Sequence, residues 1–197
     1  PWQAGASFEC SDPALNQLYA AGVRTVNLNS HDAFIDCPTR EQRAWVGDSV
    51  VHQMVHLATN LDWRLAWHNL TVANSPRSDG LLPMSVVGEI EAAGGFTIPD
   101  WSLHWVHAVY NLYQFGGDQE QVKALMPTVE RILRWYAPYQ TAAGVLKDVP
   151  EWNLVDWGSV LVDDTSSILT ALWARGLREF AELAGWLEEQ ASRRWAA

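Results

Sequence analysis

Thirteen consecutive residues, Asp36-Cys-Pro-Thr-Arg-Glu-Gln-Arg-Ala-Trp-Val-Gly-Asp48, hold two Asp, one Glu, two Arg and a Trp. These are the side chains that handle a sugar. Carboxylates grip its hydroxyls, an indole stacks on the apolar face of a pyranose ring, and one carboxyl can hand a proton to a glycosidic oxygen. Thr39 followed three residues later by Gln42 has the form of a capping box, which predicts a helix from there to about Thr59. On such a helix Glu41, Trp45 and Asp48 fall at i, i+4 and i+7 and share a face, with Asp36 and Arg40 at its mouth. The charges of an ordinary surface helix oppose its apolar stripe. Here they lie with the Trp, while Val46, Val50, Met54 and Leu57 form a separate core stripe. The segment reads as a sugar site.

The same residues strongly resemble the catalytic motif of bacterial α-L-rhamnosidases of glycoside hydrolase family 78, in its shorter-spaced variant. The similarity continues through Phe8-Glu-Cys-Ser-Asp12, Ile98-Pro-Asp-Trp101 and Val155-Asp-Trp-Gly158. The resemblance implies an (α/α)6 toroid and removal of terminal α-L-rhamnose with inversion at the anomeric carbon. It implies Glu41 as the general acid and Asp36, Arg40, Trp45 and Asp48 as rhamnose-binding residues. Trp101 and Trp157 would be further walls of the pocket. Inversion needs a second carboxyl about 6.5–9.5 Å from the first, to activate water. In the family that base lies later in the toroid. No substitute is legible here: Glu179, Glu182, Glu188 and Glu189 read as solvated, Asp163 and Asp164 as helix caps, and Asp156 as a cleft residue at best. The chain is expected to hold the acid without the base, and to be inactive alone.

The elements that must position these residues follow from caps and periodicity. Asp12-Pro13 starts a first helix, with Leu15, Leu18, Tyr19, Val23 and Val26 as its stripe. A third helix, about Leu61 to Ala73, carries Trp63, Trp67 and Leu70. A fourth, capped by Asp100 or Ser102, reaches about Phe115. A fifth starts at Asp118 and runs to about Tyr139, with an interruption near Pro127. A sixth, capped by Asp163 or Asp164, carries Leu169, Trp173, Phe180 and Leu183. Long loops from Asn74 to Asp100, with Glu89 and Glu91, and from Gln140 to Val162 are of the kind that bear function. No convincing strand pattern appears, so the fold class is all-α. Residues 1–11 read as a lead-in and 12–197 as part of an (α/α)6 catalytic domain, an incomplete toroid of helical hairpins covering roughly the first half. Such a piece exposes an apolar seam, for the missing C-terminal half or for a second copy in a homodimer.

Composition sets the outer bounds. With 48% hydrophobic and 18% charged residues over 197 positions, the chain can build one ordered core. Its twelve Trp exceed what a core needs and suit carbohydrate clefts. A net charge of −10 argues against nucleic acid and anionic membranes as partners and fits a neutral rhamnose-containing glycoside. No apolar run has the length of a membrane span and no leader is recognisable, so the expectation leans to the cytoplasm rather than secretion. Cys10 and Cys37 make no disulfide framework, and Cys37 reads as a small buried residue. His52 and His56 lie at i, i+4 without the Glu of a zinc helix, so neither metal nor cofactor is expected. His31-Asp32 reads as a support for Asp36. Three other readings stay open: a non-catalytic carbohydrate-binding module, another α-toroid glycosidase or lyase, and a purely structural helical array. Few basic residues near the motif beyond Arg40 and Arg43 argues against uronic acids.

Overall fold

The computed structural model describes residues 4–86, 96–158 and 164–187; Glu89, Glu91, Asp163, Glu188 and Glu189 lie outside them. Among the described residues there are six α-helices: α1 (Pro13–Leu28), α2 (Val46–Thr59), α3 (Arg64–Ala73), α4 (Pro99–Gln114), α5 (Gln119–Tyr136) and α6 (Ser167–Trp186). Successive helices alternate in direction. α4 packs most extensively against α2 and α6, while α1 lies on α2, α3 on α2 and α4, and α5 on α4 and α6. The result is an arc of three hairpins, with α2, α4 and α6 as the inner row and α1, α3 and α5 as the outer. This all-α architecture is the one expected for part of a toroid of helical hairpins.

The connections that enter the inner row, residues 29–45, 74–98 and 137–166, are long, and those that enter α3 and α5 are short. The described parts of these connections therefore gather at the N-terminal ends of α2, α4 and α6, on one rim. The core runs between the rows. Trp105 of α4 is fully buried and donates its indole N–H to the Leu70 carbonyl at 3.3 Å. Trp173 of α6 does the same to Leu133 at 2.9 Å. These indoles are core, and they join inner helices to outer ones.

Local signals held at several helix starts. Asp12 accepts from the Ala14 amide at 2.8 Å to begin α1, and Asp118 accepts from Gln121 at 3.1 Å to begin α5. Others need correction. Neither Asp100 nor Ser102 caps α4, which starts after Ile98 with Pro99 in its first turn. The buried Asp100 carboxylate instead accepts from the Leu154 and Val155 amides, at 3.3 Å each, and Ser102 Oγ accepts from Leu82 at 3.0 Å. α6 is capped by Ser166, whose hydroxyl accepts from Leu169, while Asp164 pairs with Lys147 at 2.8 Å. Pro127 does not interrupt α5, which runs through it with the proline on its exposed side. A two-residue antiparallel ladder, Leu146–Lys147 with Thr165–Ser166, closes the loop before α6. The predicted stripe of α1 is mostly uncovered: Val26 is buried, but Leu15 is 47% and Leu18 68% exposed. α1 stands at the free end of the arc, where little lies beyond it to pack on. Among the described residues no helix is long and apolar enough to cross a membrane.

Candidate active site

The motif helix starts seven residues later than its capping box predicts, at Val46 rather than Thr39. Tertiary pairing decides this. Val46 donates its amide to the Met84 carbonyl at 3.0 Å and Val86 donates to Ala44 at 2.9 Å, so Trp45 lies extended beside Ser85 and the helix begins only after it. Asp36 and Arg43 pair in the same way, the Asp36 amide to the Arg43 carbonyl at 3.0 Å and the Arg43 amide to Asp36 Oδ1 at 2.9 Å. Gln42 sits at φ 54 and its side chain bonds the Pro38 carbonyl at 2.7 Å instead of returning to Thr39. The motif is a turn, an extended strand segment and then a helix.

Glu41, Trp45 and Asp48 consequently do not share a helix face. They are brought together another way. Trp45 Nε1 donates to Glu41 Oε2 at 2.8 Å, and Arg40 Nη2 lies 2.5 Å from Glu41 Oε1. The Trp45 and Trp101 rings meet edge to face, with centroids 5.4 Å apart at 75°. Trp101 then lines a cleft of about 510 Å³ with Asp48, Met54, His104, His107 and Arg175. The line Glu41–Trp45–Trp101–Asp48 is thus continuous at the N-terminal rim of the inner row. Glu41 and Trp45 adjoin the cleft through Trp101 without lining it. Met54, assigned above to the core, is half exposed on the cleft wall.

Asp36 is held within the motif loop. Burial alone would raise its carboxyl, but donors from the Cys37 thiol and the Arg43 and Cys37 amides outweigh that and hold it below its ordinary value. It is an ionised acceptor built into the loop. Cys37, half-buried, also accepts from the Glu41 amide at 3.3 Å, which suits a turn support. His31 and Asp32 do not support Asp36. His31 Nε2 lies 3.1 Å from the Leu28 carbonyl and Asp32 is exposed. His52 Nδ1 lies 3.1 Å from the Asp48 carbonyl, and burial pushes this imidazole below its ordinary value, so it is neutral. Among the described residues no group of three His, Cys, Asp or Glu could hold a metal ion.

Trp157 is not gathered with these residues. At 79% exposure it meets Trp152 edge to face at 5.8 Å, and Trp152 meets Phe96 at 5.8 Å, so three rings form a ledge. Its loop carries Glu151, Val155 and Trp157 at positive φ. Glu151 ties it down, bridging Arg77 at 2.8 Å and the Thr97 amide at 3.0 Å. Leu154 packs with Trp101, Met84 and Ile98, so the ledge belongs to the same rim.

Two residues between the motif's sugar-type side chains were not assigned roles from sequence. Arg43 places its guanidinium 4.7 Å from the Trp45 ring centroid and donates from Nε to Ser85 Oγ at 2.7 Å. Gly47 lies flat against Trp101, where a Cβ would stand 2.5 Å from the ring. Gly47→Ala is therefore expected to push Trp101 out of its place and to cost about 2 kcal/mol, an overpacking penalty read from urea unfolding. A variant as stable as the parent, with unchanged Trp fluorescence, would mean that Trp101 is not held against α2.

The model of the bacterial α-L-rhamnosidase six-hairpin glycosidase domain matches residues 3–197. An α-L-rhamnosidase of Formosa agariphila is 23% identical over 167 residues, spanning 79% of this chain and 17% of that protein. A family 78 rhamnosidase of Bacillus sp. GL1 superimposes over all of this chain and 20% of its own length, with a TM-score of 0.89 and 24% identity. A Klebsiella oxytoca rhamnosidase, solved with rhamnose bound, superimposes over 98% of this chain and 38% of its own, with a TM-score of 0.83 and 25% identity. The chain spans about a sixth of the length of the curated relative it matches. Its fold, its motif and the family model that covers almost every residue place it in the bacterial α-L-rhamnosidase six-hairpin glycosidase family.

Proposed function

We propose that this chain is the acid-bearing part of an inverting α-L-rhamnosidase. Residues 12–197 are then part of the catalytic toroid and 1–11 its lead-in. Glu41 protonates the glycosidic oxygen. Asp36, Arg40 and Asp48 take the hydroxyls of a terminal rhamnose, and Trp45, Trp101 and Trp157 offer ring faces to its apolar side. The observation that carries this reading is the continuous line Glu41–Trp45–Trp101–Asp48, which sets a carboxyl, two indoles and a second carboxyl around one rim. To deliver a proton, Glu41 must lose its ion pair with Arg40. Arg40 is 81% exposed and free to turn onto a sugar hydroxyl as the glycoside enters. No cofactor enters this scheme.

The base that activates water is not among the described carboxylates near Glu41. Glu179, read as solvated from sequence, is buried, while Glu182 is exposed as expected. Glu179 lies against His107, and Glu182 accepts from the Tyr110 hydroxyl at 2.8 Å. Arg175 lines the cleft, and its buried Nε and Nη2 have no hydrogen-bond partner among the described residues. Such a face is suited to receive further protein, either the remaining hairpins of the toroid or a second copy of this chain.

Two measurements test this. The purified 197-residue chain should release no sugar from 4-nitrophenyl α-L-rhamnoside; measurable release by the chain alone would show that it holds its own base. Joined to the rest of its toroid, the protein should first release β-L-rhamnose, seen by proton NMR. First release of the α anomer would overturn the inverting assignment. A chain that binds L-rhamnose, with a toroid that never hydrolyses the glycoside, would establish the binding-module reading instead.

A further inference from the structure

The geometry points to Arg43 as a positioning residue that sets the plane of the Trp45 indole, and through it the place of Glu41. This rests on the reading of Trp45 as a sugar-stacking ring and Glu41 as the acid. Arg43 holds the motif at several points. Its main chain closes the loop, giving its amide to Asp36 Oδ1 at 2.9 Å and accepting the Asp36 and Trp45 amides at 3.0 Å each. Its side chain reaches back across the same loop. Nε donates to Ser85 Oγ at 2.7 Å, which steers the guanidinium to 4.7 Å from the Trp45 ring centroid. Ser85 is 1% exposed and forms the bridge opposite Trp45, so this anchor belongs to the rigid rim.

Trp45 is then held three ways: by the cation on its ring, by Trp101 meeting it edge to face, and by its N–H on Glu41 Oε2 at 2.8 Å. A cation over an indole lies against one of its faces and so fixes the plane of the ring. The indole N–H is directional, so tilting the ring moves the donor away from the carboxylate. Lysine cannot replace the device. It has no planar group that stacks on the ring while a side-on N–H reaches the serine.

The test uses the full 197-residue chain and two independent readouts. The first is the Trp45 indole N–H resonance, assigned by its loss in Trp45→Phe. It should move in Arg43→Met, and move less but in the same direction in Ser85→Ala. The second is a double-mutant cycle on L-rhamnose affinity. Arg43→Met should weaken binding about tenfold in the parent and leave it unchanged in the Trp45→Phe background. An unmoved indole resonance would overturn the proposal. So would an equal loss in both backgrounds, because Arg43 would then grip the sugar itself. If the parent does not bind L-rhamnose, the functional reading fails, while the resonance still decides whether Arg43 sets the ring. Should Arg43→Met fail to fold, Ser85→Ala and Arg43→Lys carry the same two readouts.

Discussion

Glu41→Gln is expected to lower kcat on an aryl α-L-rhamnoside about a thousandfold in the protein that joins this chain to the rest of its toroid. The change removes the transferable proton, together with the charge that pairs with the exposed Arg40. The amide oxygen of Gln can still accept the Trp45 N–H that Glu41 accepts at 2.8 Å, so the loop should keep its shape and KM should change little. A thousandfold is about 4 kcal/mol of transition-state stabilisation, within the range of general acid catalysis. The sharper check is the leaving group. A dinitrophenolate departs without protonation, so its rhamnoside should lose far less in the variant than a methyl or simple aryl rhamnoside. An equal loss for good and poor leaving groups would show that Glu41 binds or orients the substrate and does not donate the proton. Turnover near that of the parent would remove it from the site altogether.

Glu179→Ala is expected to destabilise the chain by about 3 kcal/mol, the cost of removing one partner from a buried ion pair. Glu179 is 2% exposed on α6, with Oε1 2.7 Å from His107 Nδ1 on α4 and 3.7 Å from Arg175 Nε. Truncation leaves a void beside His107, which loses its hydrogen-bond partner, and Arg175, which loses a nearby carboxylate. For a chain of this size the midpoint of thermal unfolding should fall by about 6–12 °C. Glu179→Gln keeps the volume and an acceptor for His107, so its cost should be nearer 1 kcal/mol. If the Ala variant lies within about 0.5 kcal/mol of the parent, the carboxylate is solvated after all, as expected from sequence alone.

That misreading shows where sequence reasoning stops. The helix bearing Glu179 was visible from Leu169, Trp173, Phe180 and Leu183, because an apolar stripe is a local property of period 3.6. What faces a given turn is not local. His107 lies 72 residues away, and nothing in the spacing of α6 says that a histidine of α4 will meet it. The motif behaves in the same way. Its residue types suggested sugar chemistry, and the structure joins Glu41 to Trp45 by a hydrogen bond. The route was different: an extended segment pinned to residues 84–86 replaced the first two turns of the expected helix. A capping box contributes about 1 kcal/mol, and the two hydrogen bonds to residues 84–86, with the Asp36–Arg43 pairing, outweigh it.

By itself the sequence determined the helices, the alternation of long and short connections, and the set of side chains able to hold a sugar, because caps, periodicity and residue chemistry act within a few positions. Only the tertiary structure decided which of those side chains meet. It drew Glu41, Trp45, Trp101 and Asp48 to one rim and left Trp157 on a ledge with Trp152 and Phe96. It also set Arg43 over the indole and buried Glu179. The physical reason is common to all of these. Each depends on hydrogen bonds and ring contacts between segments far apart in the chain, whose energies exceed local preference once the hairpins pack.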